Sequence, residues 1–432
     1  VDSEDDLADG RILVRNKQQA LDLSRYRIEW EVTEDGVRTN GGTLEAPDVP
    51  PGPLMPRGST ARAQVEHVFP ITGEDGRIEV PLKPADPAPG AEAFLNLRLV
   101  LAHATLWADA GHVVSWEQFA LPRSVPPAPA IQAKTTGTLE TAEDGGAFLV
   151  HGKDFTARFD NETGLLSGLA RGDVELFKAG PSECFFRAPT DIDYSNNPEG
   201  FGQRWIAAGL DRLARTVEDV SAGTLDAHTA VVRAAARYQA PDLPHVIATE
   251  TRFTLFASGD IVLDCAVEAS PSLPPLPRIG VRLALAGACD RLAWFGRGPH
   301  ENYPDRKRSA LVGCYTSTVA EQYVPYIFPQ ENGGKTDVRW LALTDENGSG
   351  LFVAGAPLCH FSALPFALED LYEADSYHRL RPRDEVHLHV DGFHTGLGGD
   401  TGWRPNIYPE FQLPPGRYAY RLRLRAIGPG DD

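Results

Sequence analysis

Phe155-Thr-Ala-Arg-Phe-Asp-Asn-Glu-Thr-Gly-Leu-Leu166 reads as a strand, a polar turn and a second strand. The turn is marked by Asp, Asn and Gly, residues that tolerate the tight backbone a reversal needs. Thr251 to Glu268 repeats the pattern around Ala257-Ser-Gly-Asp260, and further short strands follow to the C-terminal end. Helical pattern is scarce: Arg204 to Val220 is the best candidate and Phe366 to Tyr377 the next. No βαβα alternation appears, so neither a parallel barrel nor a dinucleotide fold is encoded. So much antiparallel strand is too large for one ordinary sheet, and two broad packed sheets are expected.

The N-terminal part is also β. Tyr26, Ile28, Trp30 and Val32 alternate with Arg27, Glu29 and Glu31, a period of two with one buried face. Glu34-Asp-Gly36 supplies the turn, and Phe94 to Leu101 and Val113 to Phe119 are further strands. Pro47-Asp-Val-Pro-Pro-Gly-Pro-Leu-Met-Pro56 is too rich in proline for a central strand and reads as a surface connection. Several short strands of this kind predict a small sandwich, immunoglobulin-like in architecture. Pro122-Arg-Ser-Val-Pro-Pro-Ala-Pro-Ala130 carries four prolines in nine residues and reads as an extended linker. The domains are therefore expected at 1–124 and 125–432.

Composition sets limits. At 432 residues, 42% hydrophobic and 23% charged, the chain has ample material for real cores. Its formal charge of −19 disfavours nucleic acid and anionic membranes as partners. The five cysteines are scattered and odd in number, which predicts no disulfide framework and a reducing cytoplasm. No apolar run reaches membrane-spanning length, and the first residues carry no secretory pattern. The opening without Met reads as a fragment or a separately produced subunit.

Asp391-Gly-Phe-His-Thr-Gly-Leu-Gly-Gly-Asp-Thr-Gly-Trp403 has five glycines in thirteen residues and predicts a tight loop at a strand end. The loop ends on an indole, either a stacking platform for a sugar ring or a core tryptophan. Together with Trp294-Phe-Gly-Arg-Gly-Pro-His-Glu-Asn-Tyr-Pro-Asp-Arg306, Tyr323-Val-Pro-Tyr-Ile-Phe-Pro-Gln-Glu-Asn-Gly333 and Arg187-Ala-Pro-Thr-Asp-Ile-Asp193, this stretch resembles the C-terminal region of the bacterial β-galactosidases of glycoside hydrolase family 2. Ile192 stands where the family usually has Asn.

The resemblance implies an all-β chain, a small immunoglobulin-like sandwich followed by a large galactose-mutarotase-like β-supersandwich. It also implies that both catalytic glutamates lie on a TIM barrel outside this sequence, so no catalytic residue is expected here. Trp403 would be the aromatic platform for the aglycone. Thr190 to Gly202, with Asp191, Asp193, Tyr194, Asn196 and Glu199, would form a loop at the active-site mouth. His300, Glu301, Asp305, Arg306, His394 and Asp400 would support it. The family uses Mg2+ and Na+, with a sodium site near Phe328 and Pro329. The partner implied is the catalytic barrel, acting on β-galactosides such as lactose in an oligomeric parent enzyme.

Read from the residues alone, Asp191 and Asp193 are a tempting carboxylate pair for glycoside hydrolysis, but their polar loop reads as a solvated lid or turn. A free-standing sugar epimerase is the alternative, needing a histidine and a carboxylate in one cleft. His300 with Glu301 or Glu331 are its candidates, although adjacent strand residues point to opposite faces. A carbohydrate-binding or assembly module is the third reading. His387 and His389 share a strand face and His394 follows five residues later, three imidazoles that read as packing more readily than as a zinc or copper site.

Overall fold

The computed structural model describes residues 3–18, 20–51, 75–82, 88, 90–122, 137–194, 200–399 and 407–431. The chain divides into two compact units, Val1–Ala130 and Ile131–Asp432, and both are built from antiparallel strands. Residues 123–130 of the proline-rich linker lie outside the described residues.

In the first unit a two-stranded sheet, Arg11–Arg15 with Asp75–Glu79, faces a four-stranded sheet. The latter is ordered Val37–Glu45, Tyr26–Glu34, Ala93–Leu101, Val113–Ala120. Ile12 and Ile78 from one sheet and Ile28, Trp30, Val32, Leu95 and Leu97 from the other share one core. The alternation read from Tyr26 to Val32 is the reason: every second side chain meets the opposing sheet. Asp35 and Gly36 take φ values of 47° and 80°, the left-handed pair that a two-residue hairpin turn needs.

The second unit contains a five-stranded sheet running Val174–Glu175, Leu166–Arg171, Phe155–Asp160, Ala147–His151, Glu140–Asp144. Its larger sheet has twelve strands. The main path is Phe177–Cys184, Arg278–Ala286, Glu385–His394, Gly350–Leu364, Arg417–Ile427, Asp260–Ala269, Val246–Phe256, Thr229–Gln239, Ala214–Asp226. A branch, Leu311–Thr318, Arg291–Gly298 and Lys335–Thr344, joins it at Gly350–Leu364. The two sheets expected from the sequence are thus very unequal. Both contribute to one core, where Phe159 meets Phe253 edge-on at 5.2 Å. Each fully buried Phe or Leu in it contributes about 1.5–3 kcal/mol.

Three expectations are corrected. The helix foreseen over Arg204 to Val220 is only Phe201–Ala207, followed by a 3-10 turn at Leu210–Arg212. Gly209, at φ 76°, stops it, and Ala214–Asp226 is a strand fixed by pairing along Thr229–Gln239. Tertiary pairing overrides a local preference worth only tenths of a kcal/mol per residue. The helix foreseen over Phe366 to Tyr377 shrinks to Leu368–Glu373 and a 3-10 turn at Tyr377–Arg379. The glycine-rich loop begins later than expected, because Asp391 to His394 close the strand Glu385–His394. Gly392 fits that strand because a Cβ there would lie 2.3 Å from the Tyr420 side chain.

Candidate functional site

Strand register gathers a polar cluster at neighbouring strand ends. Arg278 pairs with His394 and Gly280 with Asp391, while His360 pairs with Asp391 from the other side. Lys335 pairs with Phe361, one residue beyond His360. Arg278, Asp391, Glu331, His360, His394 and Lys335 are all buried.

A buried charge demands a partner, and Arg278, Asp391, Glu331 and Lys335 each have one. Arg278 donates from Nη2 to Asp391 at 2.9 Å and from Nη1 to Glu331 at 3.3 Å. Burial pushes the Asp391 carboxyl up to about 6 against the pull of Arg278, so the pair is ionic at neutral pH. Burial, with Glu301 opposing it, brings the Lys335 ammonium down to about 8. Its Nζ donates to the Gly333 carbonyl at 2.9 Å and lies over the Trp294 ring. Gly334 lets the turn pass: a Cβ there would sit 2.7 Å from Tyr303 and 2.9 Å from His360.

Beside this cluster lie the two segments expected at an active-site mouth. Arg187, fully buried, donates from Nη2 to both oxygens of Asp193 at 2.9 and 3.0 Å. The same guanidinium donates to the carbonyls of Thr395 at 3.3 Å and Gly396 at 3.1 Å. Asp193 also accepts the Thr190 amide at 2.8 Å and its hydroxyl at 3.0 Å. One arginine therefore ties the turn at residues 190–194 to the start of the glycine-rich segment. Asp305 fixes the next residues, accepting the N–H groups of Leu397 at 3.0 Å and Gly398 at 2.7 Å. Only glycine fits at 396, where a Cβ would lie 2.4 Å from the Asp305 carboxylate.

Asp191 and Asp193 do not act as a pair of like carboxylates. Asp191 is exposed, its N–H donating to Gln330 at 2.9 Å, whereas Asp193 is wholly buried on Arg187. Tyr194 packs edge-on against Phe328, and burial pushes its phenol up to about 12. Glu301 accepts Arg306 at 2.5 Å, the Tyr326 hydroxyl and the Gly333 N–H at 2.9 Å. Arg306 also lies over the Tyr303 ring. His300 is exposed and its Nε2 faces Ser309 at 2.8 Å, so it does not join Glu301 or Glu331 in a cleft. Asn196, Glu199, Asp400 and Trp403 lie outside the described residues.

His394 is separated from the other two histidines of its strand. It gathers instead with His360 and Glu331, one ligand atom of each lying within 4.8 Å of the others. His387 is half-buried beside Glu385, and His389 is buried farther along the strand. His360 carried no signal in Leu-Cys-His-Phe-Ser: only the pairing of its strand with Glu385–His394 brings it to His394.

The domain family described as β-galactosidase small chain matches residues 151–424. The chain belongs to this β-galactosidase family. A second match, to β-galactosidase domain 4, covers residues 12–122. A β-galactosidase of Vibrio cholerae is 35% identical over 81% of the chain and 34% of its own length. One of Priestia megaterium is 30% identical over 98% of the chain and 38% of its own length. The chain thus spans only about a third of these relatives. Among solved structures, a galactose 1-epimerase from Lactobacillus acidophilus aligns at 8% identity and a TM-score of 0.36, over 68% of this chain and 100% of the epimerase. That likeness is too slight to carry any inference.

Among the described residues no helix is long and apolar enough to cross a membrane. All five cysteines are free, four of them buried.

Proposed function

We propose that this chain is the non-catalytic C-terminal portion, or small subunit, of an enzyme that hydrolyses terminal β-D-galactosides such as lactose. In this reading residues 1–124 and 125–432 are its two domains, and a separate barrel supplies the catalytic carboxylates. The observation that carries the proposal is the fully buried Arg187, which holds the turn with Asp193 and the carbonyls of Thr395 and Gly396 in one rigid arrangement. Two loops so fixed are suited to completing the mouth of a site built elsewhere, because precision at a binding site comes from locked supporting contacts. Trp403, five residues beyond Gly398, would present its indole to the aglycone. An apolar, negative ring face suits the weakly positive C–H face of a sugar.

The sodium near Phe328 and Pro329, the Mg2+ of the parent enzyme, its oligomeric assembly and a cytoplasmic setting belong to the same proposal. Free, largely buried thiols suit that setting.

The test is hydrolysis of a chromogenic β-galactoside by the chain alone and after mixing with the matching barrel-containing polypeptide. Activity only on mixing is expected. Hydrolysis by the chain alone overturns the proposal and directs attention to Asp191, Glu301 and Glu331. In the mixed enzyme Trp403→Ala should weaken glucose binding roughly fivefold, the value of about 1 kcal/mol of ring stacking. Galactosyl transfer to water should change less, and equal effects on both would discard the platform.

A further inference from the structure

The buried triad of Glu331, His360 and His394 brings together the donor types of a metal-ligand set. The two imidazoles stack at 4.4 Å between centroids with an interplanar angle of 17°. Glu331 Oε1 lies 4.0 Å from His394 Nε2, and one ligand atom of each residue falls within 4.8 Å of the others. His394 and Glu331 are 0% and 4% exposed at the side chain, and His360 is 6% exposed overall.

The hydrogen bonds fix which atoms are available. His394 Nδ1 is 2.7 Å from the Thr395 carbonyl, which only accepts, so Nδ1 carries the proton and Nε2 the lone pair. That lone pair faces a carboxylate oxygen. Neither His394 Nε2 nor either nitrogen of His360 has a hydrogen-bond partner among the described residues. Buried polar atoms left in this condition cost about 1–3 kcal/mol each. A cation between them would relieve both the repulsion and the missing partners.

A proton is a poor candidate. Burial, with Arg278, Lys335 and Arg187 behind it, holds His360 well below its usual range, and burial with His360, Arg278 and Arg187 does the same to His394. Neutral imidazole is the form that binds metal. The arginines oppose a metal less than their number suggests, because Asp391 neutralises Arg278 and Asp193 neutralises Arg187. Outer contacts of the kind that orient ligands are also in place. Thr395 holds His394, while Arg278 and the Tyr303 hydroxyl hold the two oxygens of Glu331 at 3.3 and 3.4 Å. Two imidazoles and a carboxylate suit a borderline divalent ion. Ligand distances near 2.0–2.2 Å would draw the three atoms together by roughly 1 Å, and the two stacked rings would turn out of their near-parallel planes so that both lone pairs meet one ion.

We propose that Glu331, His360 and His394 form a binding site for a divalent transition-metal ion of the zinc class, cross-linking the turn that carries Glu331 to two neighbouring strands. The site is structural and independent of the proposed galactosidase role, so its test does not read activity.

The full chain is produced in zinc-supplemented and in zinc-depleted medium, purified without a metal-affinity step, and its metal content measured. About one zinc per chain is expected from the supplemented culture, with a higher Tm than the depleted protein. His360→Phe replaces both unpartnered nitrogens by an apolar ring of similar shape and should fold, yet retain less than a tenth of the zinc. Cobalt loaded into the wild-type chain provides a readout that needs no variant: d–d bands of a nitrogen- and oxygen-ligated site are expected. Less than 0.1 zinc per chain in the wild type, cobalt bands of aqueous type, or full zinc content in folded His360→Phe each overturns the proposal.

Discussion

Arg187 and Asp193 form an ion pair in which both side chains are completely buried, the guanidinium Nη2 lying 2.9 and 3.0 Å from the two carboxylate oxygens. Isolated, such a pair recovers little beyond its desolvation cost. Here the guanidinium has a second set of partners, the carbonyls of Thr395 and Gly396, more than two hundred residues away in sequence. The pair thus joins two segments rather than merely balancing charge. It sits next to Arg278 and Asp391, so two ion pairs brace one end of the large sheet.

Breaking the pair from one side should be costly. Arg187→Met leaves the Asp193 carboxylate buried without its cation, and about 3–5 kcal/mol of stability should be lost. Arg187→Met combined with Asp193→Asn should recover a sizeable part of that loss, because the stranded charge is gone. Urea unfolding of the wild type, both single variants and the double variant closes the cycle. Additive losses would mean that the two side chains are not coupled.

Acid should weaken the second unit more than an average fold. His360, His389 and His394 are all held well below their usual range, first by burial and then by Arg278 and the other cations nearby. Below pH 6.5 the metal-free unfolded chain takes up protons on these histidines, and on the half-buried His387, before the folded chain does, so stability falls as pH falls. Asp391, pushed up to about 6 by burial, works in the opposite sense between pH 6 and 4, since the folded form takes its proton first. Urea midpoints followed from pH 6 to 4 measure the fall, and His389→Leu should reduce its slope. An unchanged slope in that variant would show that His389 charges in the fold.

Alkali should draw the same unit in two directions. Lys335 falls from 10.5 to about 8 through burial, so between pH 8 and 10 the unfolded chain holds a proton that the folded chain has lost. Lys335 by itself adds about 1.4 kcal/mol of stability per pH unit there. The thiols of Cys265, Cys289 and Cys359, pushed by burial from 9.0 up to about 12, 11 and 12, keep protons above pH 9 that the unfolded chain loses, and together they outweigh it. Above pH 10 the buried phenols of Tyr303 and Tyr420, raised by burial, add to the loss. Lys335→Met should make the loss of stability from pH 8 to 10 steeper, as read by Tm across that range. A slope unchanged by the substitution would mean that Lys335 keeps its proton in the fold.

What the sequence made legible, and what it hid, divides along the range of the interaction. Alternation at Tyr26 to Val32 and the turn at Ala257 to Asp260 are local, and they stand where the pattern put them. The segment after Leu213 carried a helical pattern, but pairing along Thr229–Gln239 made it a strand. Asp191 and Asp193 looked equivalent two residues apart, yet Arg187 takes one into the interior and leaves the other outside. Glu331, His360 and His394 are separated by tens of residues, and only strand register brings them to one point. The family resemblance was readable because it rests on short stretches that keep their order, whereas the cluster rests on distances that no short stretch contains.

The clamp of Asp305 on the glycine-rich segment gives a prediction for the assembled enzyme. Its carboxylate holds the N–H groups of Leu397 and Gly398, five residues before Trp403, and Gly396 lies against it with no space for a Cβ. Asp305→Ala releases both amides to water, and the rest of the fold should lose no more than about 2 kcal/mol. The effect on the reaction should be selective if the segment serves the aglycone. KM for lactose should rise several-fold in the reconstituted enzyme, while kcat for a nitrophenyl galactoside, whose leaving group needs little help, should stay within about twofold. Gly396→Ala, which drives a methyl group into the same carboxylate, should reproduce that split. A parallel fall in kcat for both substrates with KM unchanged would mean that Asp305 acts on the transition state or on assembly, and the positioning role would have to be abandoned.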